Sequence, residues 1–306
     1  MATTPARRTF VTTSTRGLRY DLPPMRLWQK SKRLGIWNPS DIDLSQDKKD
    51  WQNMNEDQKE SVLQLCSLFV AGEESVTLDL LPLIMHVARE GRIEDEMYLT
   101  SFLWEEAKHV DGFRRFLNEV VGEECGDLSR FHGPSYSQIF YEELPTAMNR
   151  LLTDTSVEAQ VRALATYNIF VEGVMAETGY YSFYRMLTQN ALMPGMQQFV
   201  GYLKRDESRH IAFAIYYLSR LMAEHGDRAW HALEQRMNEL MPLAIGTNND
   251  SYDENGGISP FGMTQEESNN YSISQFTKRM DRLARARGQS LEEIYNQANT
   301  LDEALA

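Results

Sequence analysis

Trp104-Glu105-Glu106-Ala107-Lys108-His109 lies in the middle of a long helical pattern. On a helix, Glu106 and His109 are three residues apart and project from one face, a turn apart. The arrangement returns at Asp206-Glu207-Ser208-Arg209-His210. A single Glu-x-x-His carries little information. Two carry more, because the chain has six His and only these two have a Glu three positions earlier. A lone Glu precedes each pair inside an apolar run: Glu73 in Leu68-Phe69-Val70-Ala71-Gly72-Glu73, and Glu172 in Ile169-Phe170-Val171-Glu172-Gly173-Val174-Met175. Glu73 and Glu106 are 33 residues apart, and Glu172 and Glu207 are 35 apart. Two antiparallel helices with a short loop need that spacing to bring their midpoints together.

Four helices would then bring Glu, Glu-x-x-His, Glu and Glu-x-x-His into one core, the ligand set of ferritin-like di-iron and di-manganese carboxylate proteins. A carboxylate in an apolar interior costs several kcal/mol unless a charge meets it. Two divalent cations supply that charge. The plainer alternative, unrelated polar residues on solvated helix faces, accounts for one such residue but not for six at matched spacing. The expected fold is all-α: a ferritin-like four-helix bundle with additional helices and a dimetal-carboxylate site in a core spanning about residues 56–225.

The chain's 306 residues suit a single helical domain over 21–306 behind a flexible basic tail, residues 1–20. That tail holds Arg7, Arg8, Arg16 and Arg19 and no acid. It lacks the apolar stretch of a secretory signal, while the composition of a transit peptide stays open. Net charge is −13, from 44 acidic and 31 basic residues, which argues against nucleic acid or an anionic membrane as partner. Two Cys, Cys66 and Cys125, form no disulfide framework, and a cytoplasmic location is expected. No stretch approaches the apolar length of a membrane span.

Along the sequence, a short helix is expected over Met25–Leu34, closed by Gly35, and another from Ser45 to Trp51. Asn55 is an N-cap for a long helix carrying Glu73, which Pro82 should kink or break near its end. Ile93–Val121 carries Glu106 and His109. Tyr136–Leu152 is a crossover limited by Pro145, and Ser156 caps a helix through Glu172 to about Asn190. Pro194 opens the helix of Glu207 and His210, and Asp227–Leu243 follows. Gly246–Gly257, polar to about Asn270, is expected to be a loop, either a mobile surface segment or a lid over a channel. Ser272–Arg287 and Ser290–Ala304 are the terminal helices.

A carboxylate-rich pair of sites with only two His favours iron or manganese, and so chemistry on dioxygen. Asp206 is expected to accept the free imidazole N–H of a ligand His, His109 by preference. A surface ion pair with Arg205 or Arg209 is the alternative.

Taken together, these residues resemble the small subunit of ribonucleotide reductase and its relatives. Gly35-Ile36-Trp37-Asn38-Pro39, followed by Asp41-Ile42-Asp43-Leu44-Ser45, is similar to that superfamily's N-terminal signature, and Asp206-Glu207 to its metal motif. The resemblance covers roughly residues 25–225 and implies that Trp37, with Asp206, supports the ligands from behind. Where radical-carrying subunits have a Tyr, four residues after the first ligand His, this protein has Phe113. The last Tyr, Tyr295, falls in a helical pattern instead of a flexible tail.

With Glu73 as first ligand, the sequence resembles the ligand-binding oxidase branch. There, the positions of Val76 and Tyr167 join in an ether cross-link; from the residues alone both read equally well as core. The resemblance further implies a mixed manganese–iron centre (with di-iron as the variant), O2 as co-substrate, a bound long-chain fatty acid and a homodimer. The electron donor stays unnamed. Glu73, Glu106 and His109 would hold manganese and Glu172, Glu207 and His210 iron, with Glu106 bridging. Gly72, Gly173, Ala176 and Gly201, near Phe170, Met175, Phe183 and Met186, would leave room for a tunnel or simply allow close helix packing. The rivals are a radical-free reductase subunit, a ferritin-type iron-handling protein and a metal-free helical interaction module.

Overall fold

The computed structural model describes residues 9–252 and 257–296. Among them no strand forms; an isolated bridge joins Ile258 and Thr264. No helix among these residues is long and apolar enough to cross a membrane. The first eight residues of the basic tail and the last ten of the protein lie outside the described residues. The described part of the tail is anchored: Arg16 grips buried Glu94 through two hydrogen bonds, and the Arg19 amide donates to the same carboxylate.

Helix α1 (Pro23–Leu34) starts with Pro in its first turn, where a missing N–H costs nothing. Helix α2 (Ser45–Asn53) follows. Helix α3 (Glu56–Arg89) opens with a reciprocal capping box: Asn55 Oδ1 accepts from the Gln58 amide, and Gln58 Oε1 from the Asn55 amide. It runs on past Pro82, so the expected break does not occur. Pro82, Leu83, His86 and Val87 are all buried, and packing on both sides of the proline outweighs the lost hydrogen bond.

Helix α4 (Ile93–Phe116) returns beside α3 and ends in a wide π turn, Leu117–Val121. The crossover combines α5 (Pro134–Ser137), a π segment (Gln138–Glu143) and α6 (Leu144–Arg150). Pro145 sits in the first turn of α6, so it is accommodated as a start.

The expected helix from Ser156 is present but not uniform. It comprises α7 (Val157–Leu164), a π stretch (Ala165–Ala176), α8 (Glu177–Phe183) and a second π turn, Tyr184–Thr188. Tyr167 and Glu172 both lie in the first π stretch. Such winding is concentrated at functional sites, and apolar periodicity does not announce it.

Helix α9 (Pro194–His225) is capped from a distance: buried Asp47 accepts from the amides of Gly195 and Met196. A Cβ at Gly195 would come within 2.5 Å of the Asp43 carbonyl, so glycine is required there.

Helix α10 (Asp227–Tyr252) overturns part of the loop expected from Gly246. Thr247 and Ser251 hydroxyls bond back to carbonyls one turn earlier, and Asp250 accepts from the Ser135 amide. A Cβ at Gly246 would lie 2.2 Å from Ser135 Oγ. Close docking on α5 thus holds a weakly helical sequence in helix. Helix α11 (Gln265–Ala284) begins seven residues before the expected Ser272, capped by Thr264. Two apolar clusters result. One holds Val76, Phe102, Tyr167 and Phe213; the other holds Phe69, Phe113, Phe183 and Phe199.

Candidate metal centre

Helices α3, α4, the π stretch after α7, and α9 bring all six expected residues together. Glu106, His109 and His210 have no exposed surface, and Glu73, Glu172 and Glu207 are buried. Donor atoms of Glu73, Glu106, His109 and Glu207 lie within 4.8 Å of one another, as do those of Glu106, Glu172, Glu207 and His210. Glu106 places Oε2 3.4 Å from His109 Nδ1 and Oε1 3.0 Å from His210 Nδ1. Glu207 does likewise, with Oε1 3.7 Å from His109 Nδ1 and Oε2 3.4 Å from His210 Nδ1. Two carboxylates therefore stand between the two donor groups, where the sequence suggested Glu106 alone.

Whether these residues fit metal is decided by their unpartnered atoms. Both Glu106 oxygens, Glu172 Oε1, Glu207 Oε2 and His210 Nδ1 are buried and make no well-aligned hydrogen bond among the described residues, although the Glu106 oxygens and Glu207 Oε2 lie within ion-pair distance of the imidazoles. Such orphaned acceptors are costly in an apolar interior and are matched by cations. Burial drives Glu73 up to about 8 and Glu172 well above the carboxylate range, and Glu207 is raised for the same reason. Burial also opposes ionisation of Glu106, but His210 and His109 outweigh it and hold that carboxyl low. Burial lowers the two imidazoles, yet the surrounding carboxylates outweigh it and raise both. The cluster demands positive charge. The donor set fits two divalent cations.

Each histidine is held from behind. His210 Nε2 donates to Glu105 Oε2 at 2.9 Å, which makes Nδ1 the nitrogen that faces inward. His109 Nε2 faces Asp206 Oδ2 at 3.5 Å. Asp206 also accepts from Trp37 Nε1 at 2.8 Å and from Lys108 Nζ at 3.4 Å. Arg209 does pair with Asp206, but in the interior, and it bonds Glu105 as well; Arg205 donates instead to the Leu34 carbonyl. Asn168 Nδ2 holds Glu172 Oε2 at 2.8 Å.

Glu105 and Asn168 were not singled out from the sequence. Glu105 carried a usable signal, because it precedes Glu106 as Asp206 precedes Glu207. Asn168 lies four residues before Glu172, a weaker cue in a helix wound with π turns.

Val76 and Tyr167 also meet. The Tyr167 hydroxyl, fully buried, donates to the Val76 carbonyl at 2.9 Å. The Tyr167 ring stands edge-on to Phe102, which stacks on His210 at 3.6 Å between centroids. Phe113 is enclosed by Phe69, Phe183 and Phe199.

A cavity of about 1220 Å³, counting its open mouth, reaches the cluster at Glu73, Glu172 and Glu207. Its α3 wall is a single helical stripe, from Ser61 through Leu65, Leu68 and Gly72 to Val76. From Glu73 to Ser61 the stripe runs about 18 Å. Gly72, Met175, Ala176 and Met186 line this space; Gly173, Gly201, Phe170 and Phe183 do not. The end of α10 and the segment leading into α11 form the far wall, so part of the expected loop is structural lining.

Four helices converging four carboxylates and two imidazoles define the dimetal-carboxylate class of helical bundle proteins. The sequence model described as ribonucleotide reductase, small chain, matches residues 24–299, and this protein belongs to that family. Within it, solved structures of an R2-like ligand-binding oxidase are close in fold. The aerobically reconstituted Mn/Fe form after a long soak is 40% identical, with a TM-score of 0.86 over 90% of this chain and 98% of that one. A valine-to-alanine variant with anaerobically reconstituted Mn/Fe cofactor is 40% identical, with a TM-score of 0.84 and the same coverage. A valine-to-leucine variant, aerobically reconstituted, is 39% identical, with a TM-score of 0.86 over 90% of this chain and 99% of that one.

Proposed function

We propose that this protein is a manganese–iron oxidase that activates dioxygen and oxidises a C–H bond of a bound hydrophobic, fatty-acid-like molecule. The observation that carries this is the cavity, which opens onto the ligand carboxylates and onto Val76 at one end. No Lys, Arg or His lines it among the described residues, so cations held by the glutamates would be the counter-charge for an acid group there.

Glu73, Glu106, His109 and Glu207 would hold one metal, expected to be manganese. Glu106, Glu172, Glu207 and His210 would hold the other, expected to be iron. When bound, the pair supplies the redox capacity to reduce dioxygen. Glu105 keeps the Nε2 proton on His210 and so holds its ring in place, with Asp206 as the counterpart for His109. Asn168 fixes Glu172. Phe102 covers the His210 ring, while Phe69, Val76 and Val171 give the cavity beside the glutamates apolar walls.

In the same reading, the Tyr167 O–H bond and a C–H bond of the Val76 isopropyl group break. A C–O ether bond forms, and two hydrogens with their electrons pass to dioxygen. The hydrogen bond from Tyr167 to the Val76 carbonyl supports this, since it already holds the two residues in contact.

The test is anaerobic loading with manganese and iron, followed by admission of air with a long-chain fatty acid present. Two metals per protein molecule, oxygen uptake and an oxidised acid are expected. Uptake of many metals per molecule would instead indicate iron storage. Nucleotide reduction on adding a large subunit would indicate a reductase.

A further inference from the structure

The two walls of the cavity differ chemically. The α3 side is apolar between Gln64 and Glu73, whereas α8, the end of α10 and α11 present Thr178, Thr247, Asn248, Ser251, Ser268 and Ser272. All six are neutral hydrogen-bonding residues. A second carboxylate or a phosphate would find no counter-charge on this wall.

Hydrogen bonds along the wall run in one direction. Thr178 Oγ1 donates to the Val174 carbonyl at 2.7 Å. The Ser272 hydroxyl, 2.9 Å away, must therefore give its proton to Thr178. Asn248 Nδ2 then donates to Ser272 Oγ and to Asn269 Oδ1, each at 3.0 Å. The Asn269 amide is itself oriented by donating from Nδ2 to Asn249 Oδ1 at 3.1 Å. Both amide hydrogens of Asn248 are spent, and no group among the described residues donates to its Oδ1. The wall thus offers the ligand an acceptor. Its position is intermediate: Thr178, joined to Asn248 through Ser272, lies six residues beyond Glu172, less than about 9 Å along a stretch partly wound as π-helix, facing an α3 wall about 18 Å long.

The geometry points to a ligand with a mid-chain hydrogen-bond donor, a hydroxyl or amide N–H, received by Asn248 Oδ1. This rests on the fatty-acid-like reading and narrows it. A plain alkyl tail would lay methylenes against an unpaired carbonyl oxygen. A mid-chain ketone would oppose one acceptor to another.

The test is calorimetric titration of the full-length protein, loaded with manganese and iron, with tetradecanoic acid, a mid-chain hydroxytetradecanoic acid and the matching keto acid. The hydroxy acid should bind about tenfold more tightly than the plain acid, the keto acid no better than it. Asn248→Leu should erase the hydroxy acid's advantage and bring plain-acid affinity up towards that of the hydroxy acid. Equal binding of all three acids to the wild-type protein overturns the donor proposal while the fatty-acid reading stands. No binding of any acid overturns both. A hydroxyl advantage that survives in Asn248→Leu refutes the role of Asn248. The comparison of the three acids on the wild-type protein holds even if the variant fails to fold.

Discussion

His210 and Glu105 are joined by a 2.9 Å hydrogen bond, and His109 and Asp206 repeat the relationship at 3.5 Å across the cluster. Glu105 comes from the helix of His109 and Asp206 from the helix of His210, so each half-site orients the other's imidazole. Arg209 ties the two carboxylates together, 2.6 Å from Glu105 Oε1 and 2.5 Å from Asp206 Oδ1. Substituting a carboxylate behind a ligand histidine typically weakens metal binding by about 10–100-fold. Glu105→Gln should therefore lower affinity for the second metal by that factor, read by competition with a chelator. Unchanged affinity for both metals would show that Glu105 does not hold the His210 ligand.

Gly35 makes room for that carboxylate. A Cβ there would lie 2.3 Å from Glu105 Oε1 and 2.8 Å from the Ser31 carbonyl. Gly35→Ala should push Glu105 away from His210 and reproduce the metal defect of Glu105→Gln, with the protein still folded. Full metal content with normal affinity in Gly35→Ala would contradict this.

Asp79 is buried on α3, and burial raises its carboxyl from 3.8 to about 6. A carboxyl with a raised folded-state pKa binds its proton more tightly folded than unfolded. Its favourable contribution is present below the ordinary value and is lost as pH rises through about 6. Asp79→Asn should therefore stabilise the protein at pH 8 by about 1 kcal/mol, discounted for partial solvation, and by little in mild acid. Denaturant melts at the two pH values measure this. An equal effect at both would exclude Asp79 as the titrating group.

Leu78, Leu81 and Met85 are 65%, 42% and 47% exposed and form one stripe on the outer face of α3. The family resemblance implies a homodimer, and we propose this stripe as the surface that a second copy would cover. Leu81→Glu should convert a dimer into a monomer by light scattering without loss of helical signal. A variant that remains dimeric would place the interface elsewhere.

The bundle was legible because its information is periodic and chemical. Paired Glu-x-x-His motifs on apolar helices leave few folds open, and Asn55, Ser156 and Pro194 mark helix starts by local chemistry. Where tertiary packing decides, the sequence was silent or misleading. Pro82 is carried through a helix by burial on both sides, and Gly246 to Tyr252 is held helical by docking on α5. The π winding around Tyr167 and Glu172 leaves no trace in apolar spacing. At the site, single-helix spacing identified the ligands, whereas the reach of Glu105 to His210 crosses between helices and emerges only once α4 and α9 are placed side by side.

Peptide mass spectrometry after reconstitution with manganese and iron in air tests the central proposal most directly. The peptide containing Val76 should be recovered joined to the one containing Tyr167, lighter by two hydrogens, and the joined species should be absent when air is withheld. Two separate, unmodified peptides from fully metal-loaded, air-exposed protein would contradict the proposal.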